Sequence, residues 1–288
     1  MADARKIDLV SCIPFIMVHL AALAGALLVP FAWKWVALAA ALYYGRMAGT
    51  TIGYHRYFAH RTFRTSRAFQ FLLALWAETS AQKGVLWWAA HHRVHHRYSD
   101  LPGDPHSPKL GFWESHMLWI LREQASATGE IKDFAKYPEL RWLNEFHLLP
   151  PVALAVLLFA VGGAPALIWG FFVSTVVLWH GTFLVNSVNH LWGTRRYATT
   201  DTSRNNGLLA LLTMGEGWHN NHHHYMAAAN QGFFWWEIDL SYYLIRGFQA
   251  LGVVWDVRTP PQKFLEATIA SQLPAPAADL ALAPDINL

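Results

Sequence analysis

The sequence predicts an all-α integral membrane protein, with four transmembrane helices and a cytosolic helical cap that carries a histidine-rich metal site. Three observations predict it. Apolar runs long enough to cross a bilayer alternate with polar segments. Histidines recur in the polar segments at i, i+3 and i+4. Lysine and arginine gather in those same segments, and twenty of the 22 lie there.

Composition sets the class. Of 288 residues, 54% are hydrophobic, 15% aromatic and only 14% charged, against roughly a quarter charged in soluble domains. The net charge is +3, and no nucleic-acid partner is expected. Cys12 is the single cysteine, which leaves no internal disulfide and no CxxC metal site. Histidine, with 16 copies, is the plentiful metal ligand. Fifteen tryptophans suit both a membrane-interface belt and an apolar substrate tunnel.

In chain order, residues 1–7 carry Arg5 and Lys6, and the run from about 9 to 33 is free of charge. A bilayer core of about 30 Å needs about 20 helical residues, so this run can span. It lacks a clear small-residue cleavage site, which argues against a removable signal peptide. Lys34 marks a short turn, and a second span runs from about 35 to 53. Arg46 interrupts it and should face protein or snorkel. Residues 54–146 form the first part of the cap. Within them Ala68 to Ala77 is apolar but too short to span, and reads as an interfacial or buried helix. Two more spans cover about 148–162 and 164–188, punctuated by Gly162, Gly163 and Pro165. Residues 190–272 complete the cap, so that 1–272 reads as one domain, and the Ala- and Pro-rich 273–288 reads as a disordered tail. With four spans every basic segment lies on one side. The positive-inside rule makes that side the cytoplasm, with both termini and all histidine clusters facing it.

Three windows hold ten of the 16 histidines. His92, His95 and His96 stand at i, i+3 and i+4, and so do His219, His222 and His223. On a helix each triplet shares a face. His55 and His60 come before both. Five residues are about 140° around an α-helix, so at least one of that pair is expected at a helix end. One such cluster alone could be a solvated polar face. Two identical spacings plus a third cluster in an apolar chain point to metal. His190 adds a ninth imidazole at the inner end of the fourth span, with Asn186 one turn before it. Nine are too many for one ion and fit two with open positions. Imidazole suits Fe, Zn, Cu and Ni alike, so spacing chooses neither the metal nor reaction over transport. Glu216, Asp100 and Asp104 are candidates for carboxylates that orient imidazoles. His91 and His224 read as spare, His106 and His116 as structural, and His19, His147 and His180 as uninvolved.

These motifs are those of a known family. His55-Arg56-Tyr57-Phe58-Ala59-His60-Arg61, the His92-to-His96 box followed by Asp104-Pro105-His106, Asn186-Ser187-Val188-Asn189-His190, and Gly215 to His223 resemble the membrane fatty acid desaturases of the acyl-CoA (stearoyl-CoA) Δ9 type. Trp235-Trp236-Glu237-Ile238-Asp239 looks most like the bacterial and cyanobacterial branch, and implies a bacterial inner membrane. The likeness covers about residues 35–258. It implies two iron ions held by His55, His60, His92, His95, His96, His190, His219, His222 and His223, with Asn186 reaching one through water. It implies O₂-dependent insertion of a cis double bond, most simply at Δ9, into a saturated acyl chain. An acyl tunnel bent at Gln82, Trp88 and Thr182 is implied too, as is a separate electron donor, a ferredoxin or cytochrome b5-like protein. A related hydroxylase or alkane monooxygenase, or a histidine-rich metal transporter, are the alternatives. One departure stands out. The Arg-Asp pair that helps hold coenzyme A in animal enzymes is replaced by Ala90 and His91, and Leu110 follows Lys109 where a second basic residue stands. The carrier, acyl-CoA or acyl-lipid, is therefore open.

Overall fold

The computed structural model describes residues 6–122 and 128–266. The tail expected at 273–288 lies outside them. Helices α1 (Leu9–Leu28) and α2 (Trp33–Ala48) come first, both apolar, and each packs against the segment Leu167–Val173. Asp8 caps α1, accepting from the Val10 amide at 3.1 Å. Leu9, Val10, Ile13, Met17, Leu23 and Leu27 stand outward and exposed along α1. The span expected to reach residue 33 stops as α-helix at Leu28. Only the short link 29–32 separates it from α2.

After Ala48 the helix does not end. It widens into an eleven-residue π-helical segment, Gly49–Ala59, every residue of which is buried. The remaining helices are α3 (Arg67–Glu78), α4 (Val85–Tyr98), α5 (Phe112–His116), α6 (Lys132–Ala135), α7 (Pro138–Glu145), α8 (Leu149–Ala166), α9 (Ser174–Leu191), α10 (Gly207–Leu212), α11 (His219–His224), α12 (Leu240–Ala250) and α13 (Gln262–Leu265). A two-residue ribbon pairs β1 (Arg64–Thr65) antiparallel with β2 (Val254–Trp255).

Helices α8 and α9 are joined through a second π-helical segment, Leu167–Val173. Read end to end, Leu149–Leu191 covers 43 residues, and it is the one helical stretch among the described residues long and apolar enough to cross a membrane. It is not straight. Gly163 has φ 64° and ψ −160°, a conformation that costs an L side chain dearly. Beyond it the chain folds back. A Cβ placed on Gly170 would lie 3.3 Å from Leu158, twelve residues away, and 3.0 Å from Leu42 of α2. The stretch is a hairpin, turned where the glycines predicted it.

Arg46 shows how α2 is tied to its neighbours. It is 3% exposed, and its guanidinium donates to Thr175 Oγ1 at 2.8 Å, Ser174 Oγ at 2.5 Å and the Thr79 carbonyl at 3.2 Å. The expected choice between protein and interface is settled towards protein. Helix α3, N-capped by Ser66, packs on the first π segment. Phe58, Leu73, Leu140, Leu143 and Ile245 form the core there with exposures of 0 or 1%, each worth about 1.5–3 kcal/mol on burial. That core fixes the π segment and α4 side by side, and so positions the first two histidine windows.

Candidate metal centre

The π-helix solves the spacing problem of the first window. Its hydrogen bonds run i to i+5, and His60 N donates to His55 O at 3.1 Å. Residues five apart then come nearly into line, which an α-helix does not allow. His60 also caps the segment, so the expected helix end is there as well. Helix α4 carries His92, His95 and His96, and α11 carries His219, His222 and His223. His190 sits in the last turn of α9.

The nine histidines sort into two groups. His55, His60, His92, His96 and His222 form one, and His95, His190, His219 and His223 the other. Within each, one ring nitrogen per residue lies within 4.8 Å of all the rest. Nε2 atoms face one another at 3.0 Å in the pairs His55–His222, His60–His92, His92–His96 and His96–His222. His190 and His219 do so at 3.2 Å. Neighbours on α4 and α11 thus divide between the groups, because i+3 and i+4 diverge slightly across one face.

Four of the far nitrogens, those of His55, His95, His190 and His223, are held by partners, while Nδ1 of His219 and His222 is buried without one among the described residues. His55 Nδ1 meets Glu216 Oε2 at 2.5 Å, and His95 Nδ1 meets Asp104 Oδ1 at 2.9 Å. His190 Nδ1 meets Thr202 Oγ1 at 3.1 Å, and Asp100 lies 3.7 Å from it while accepting from that hydroxyl at 2.7 Å. Sequence reasoning did not find Asp201, which meets His223 Nδ1 at 2.7 Å, nor Arg56 and Gln231. Arg56 is 1% exposed and bridges Glu216 and Asp239. Gln231 donates to Glu216 at 2.9 Å. Gly215, at φ 118°, admits this network, since a Cβ there would lie 2.3 Å from Asp239.

Electrostatics favour ligation. Burial first, then crowding by other imidazoles, pushes His60, His92, His96, His219 and His222 well below the ordinary histidine range. Neutral imidazole is the ligating form. Burial opposes charge on His95, but Asp104 outweighs it and lifts that ring. Burial likewise raises Asp104 and Asp201, yet their histidine partners carry both well below the usual carboxylate range. His223 Nε2 is buried without a hydrogen-bond partner among the described residues, while its Nδ1 is held by Asp201. A lone pair so aimed, beside three more imidazoles, fits a cation.

The other histidines take different places. His106 packs on His95 with centroids 4.2 Å apart and joins it and Asp104 in a third possible ligand group. His91 instead bonds the Trp87 carbonyl, and His224 stacks on Tyr197. His19, His180 and His116 form an imidazole chain, linked at 3.1 and 3.0 Å and ending on Ser187 Oγ.

A cavity of about 340 Å³ opens beside the first group. Phe15, Trp88, Trp179 and Phe183 give it an apolar wall, and His92 and Asn186 also line it. Trp88 stacks on His92. Trp88 Nε1 donates to Gln82 Oε1 at 3.2 Å, and Gln82 Nε2 donates to Thr182 Oγ1 at 3.0 Å. The three residues expected at a tunnel bend therefore form one hydrogen-bonded chain across the wall.

Residues 15–254 match the profile of the fatty acid desaturase family. The chain is 39% identical over 253 residues to the sn-1 stearoyl-lipid 9-desaturase of Synechocystis sp., covering 86% of this chain and 79% of that one. It is 38% identical over 265 residues to delta-9 acyl-lipid desaturase 2 of Arabidopsis thaliana, covering 90% and 85%. Over 245 residues it is 38% identical to the chloroplastic palmitoyl-monogalactosyldiacylglycerol delta-7 desaturase of the same plant, covering 82% of this chain and 66% of that one.

Proposed function

The chain belongs to the fatty acid desaturase family and is an enzyme that desaturates acyl chains; from that premise we propose that it inserts a cis Δ9 double bond into a lipid-bound saturated acyl chain at a centre of two iron ions. The observation that carries this is the pair of histidine groups lying beside an apolar cavity. His55, His60, His92, His96 and His222 would hold one ion, and His95, His190, His219 and His223 the other. Asn186 would reach one of them through water. Iron, when bound, supplies activation of O₂: with two electrons and two protons, CH₂–CH₂ becomes CH=CH and O₂ leaves as two waters.

The protein supplies the rest. Glu216, Asp104, Asp100 and Asp201 orient the imidazoles. Trp88, Gln82 and Thr182 bend the acyl chain so that chosen carbons lie near the metals, and position selectivity follows from shape. The apolar wall excludes water. A lipid-bound chain is favoured over acyl-CoA because Ala90, 2% exposed, offers no cation to a phosphate. The relatives' names carry both 7 and 9 positions, so the bend rather than the family sets the product.

Helices α1, α2, α8 and α9 would cross the membrane, with 1–272 one domain and the centre on the cytoplasmic side of a bacterial inner membrane. A separate ferredoxin or cytochrome b5-like donor would deliver the electrons, drawn by the basic cytoplasmic surface.

The test is the fatty acid profile of an expressing host, with double bonds located by mass spectrometry. The expected result is a new monounsaturated Δ9 acid that enters glycerolipids without passing through acyl-CoA. The His222→Ala variant, at matched membrane expression, should make none. Hydroxylated product would overturn the reaction assigned, and normal product from His222→Ala would overturn the ligand set.

A further inference from the structure

A second opening meets the centre from another side. A cleft of about 290 Å³ has His96 and His223 among its lining residues. His96 belongs to one histidine group and His223 to the other, so a single opening abuts both candidate metal positions. The acyl cavity touches only His92 of the nine. The two openings also differ in chemistry. Asp201, Thr199 and Ser99 line the cleft with Arg97, whose guanidinium is paired with Glu130 at 2.6 Å, and Leu101 and Met226, which are 51 and 41% exposed, line it on the solvent side. The acyl cavity is walled by indole and phenyl rings.

A divalent cation gives up its water only where oxygen or nitrogen ligands replace it. The acyl cavity offers few of these, His92, Asn186, Gln82 and Thr182 among them, set in a mostly apolar wall where stripping an ion is costly. The cleft does offer them. Asp201 brings a carboxylate to the cleft, with Oδ1 accepting from Thr199 Oγ1 at 2.9 Å and Oδ2 bonded to His223. At the inner end the His223 imidazole closes the way, its side chain 2% exposed. A ring held by one carboxylate hydrogen bond is the sort of door that can swing and pass an ion to the lone pairs behind it. We propose that this polar cleft is the port through which hydrated ferrous ions enter and leave the histidine centre, separately from the acyl cavity.

The proposal rests on the two-iron reading, and one experiment separates them. The full chain, as Cys12→Ala with Leu101→Cys, is purified iron-loaded into lipid discs and its iron counted. Under anaerobic conditions a bulky thiosulfonate reagent caps the rim, and release of ferrous iron to a water-soluble chelator is followed by colour. Capping should slow release at least tenfold, and a thiol that removes the cap should restore it on the same folded protein. Met226→Cys gives a second cap on the rim. Val10→Cys, at the acyl cavity, should leave release unchanged when capped. About two irons whose release ignores both rim caps, or slows only with the Val10 cap, would overturn the port alone. A chain that holds no iron would overturn the metal reading, and the port with it.

Discussion

At the scale of single residues, the centre depends on what stands behind each imidazole. His223 is aimed by Asp201, and the second group has only four histidines to the first group's five. Loss of an orienting carboxylate typically costs 10- to 100-fold in metal affinity. Asp201→Asn keeps the shape and removes the charge. It should lower bound iron from about two per chain towards one, measured by metal analysis after gel filtration. Retention of both at wild-type affinity would show that Asp201 only supports the loop. Six of the nine histidines were legible because their two triplets repeat at i, i+3 and i+4, a pattern with a direct geometric meaning. Asp201 was not. It sits among Thr200, Thr202 and Ser203 without periodicity, 22 residues from the ring it serves, and only the fold joins them. His106 was read as structural, and its packing on His95 is in keeping with that, though nothing in its loop announces the contact.

Among elements, Glu78 links two helices at a cost. It ends α3, and its Oε1 accepts from the Val85 amide at the start of α4 at 2.9 Å. Its Oε2 is buried with no hydrogen-bond partner among the described residues. Burial pushes its carboxyl from 4.5 up to about 8, the Val85 amide pulling the other way. The folded state then keeps this proton above the pH at which the unfolded chain releases it. Stability should therefore fall as pH rises from about 4.5 to about 8 and level off beyond, by about 2 kcal/mol between pH 6 and 8. Glu78→Gln should flatten that slope in thermal unfolding at several pH values, and an unchanged slope would remove Glu78 as its source. The hairpin at Gly163 was legible, because Gly162, Gly163 and Pro165 interrupt an apolar run and such residues end helices. The π segment was not. No residue type marks an i to i+5 ladder, and the sequence showed only that His55 and His60 were awkwardly placed for an α-helix.

For the whole molecule, the reading of four crossings makes every basic segment face one way. It can be checked with single cysteines in the Cys12→Ala chain, labelled in intact cells by a membrane-impermeant reagent. Lys34→Cys, exposed in the first turn of α2, should label from outside. Thr200→Cys, exposed near the centre, should label only after the cells are opened. Both labelling from the same side would overturn the arrangement. The alternation of apolar helices with histidine-bearing segments was readable from runs and spacings alone. The joint between the helices was less so. Arg46 was expected only to avoid lipid, yet it bonds both α9 and the end of α3.

The π segment also bears on how such a site can arise. A ladder that skips five positions instead of four holds one more residue per turn than its neighbours. Deleting one residue between Thr50 and Gly53 would take one residue out of that ladder and would swing His55 by about 100° relative to α2. A single inserted codon, neutral for the length of the helix and harmful to its regularity, is enough to turn a histidine outside the cluster into one that completes it.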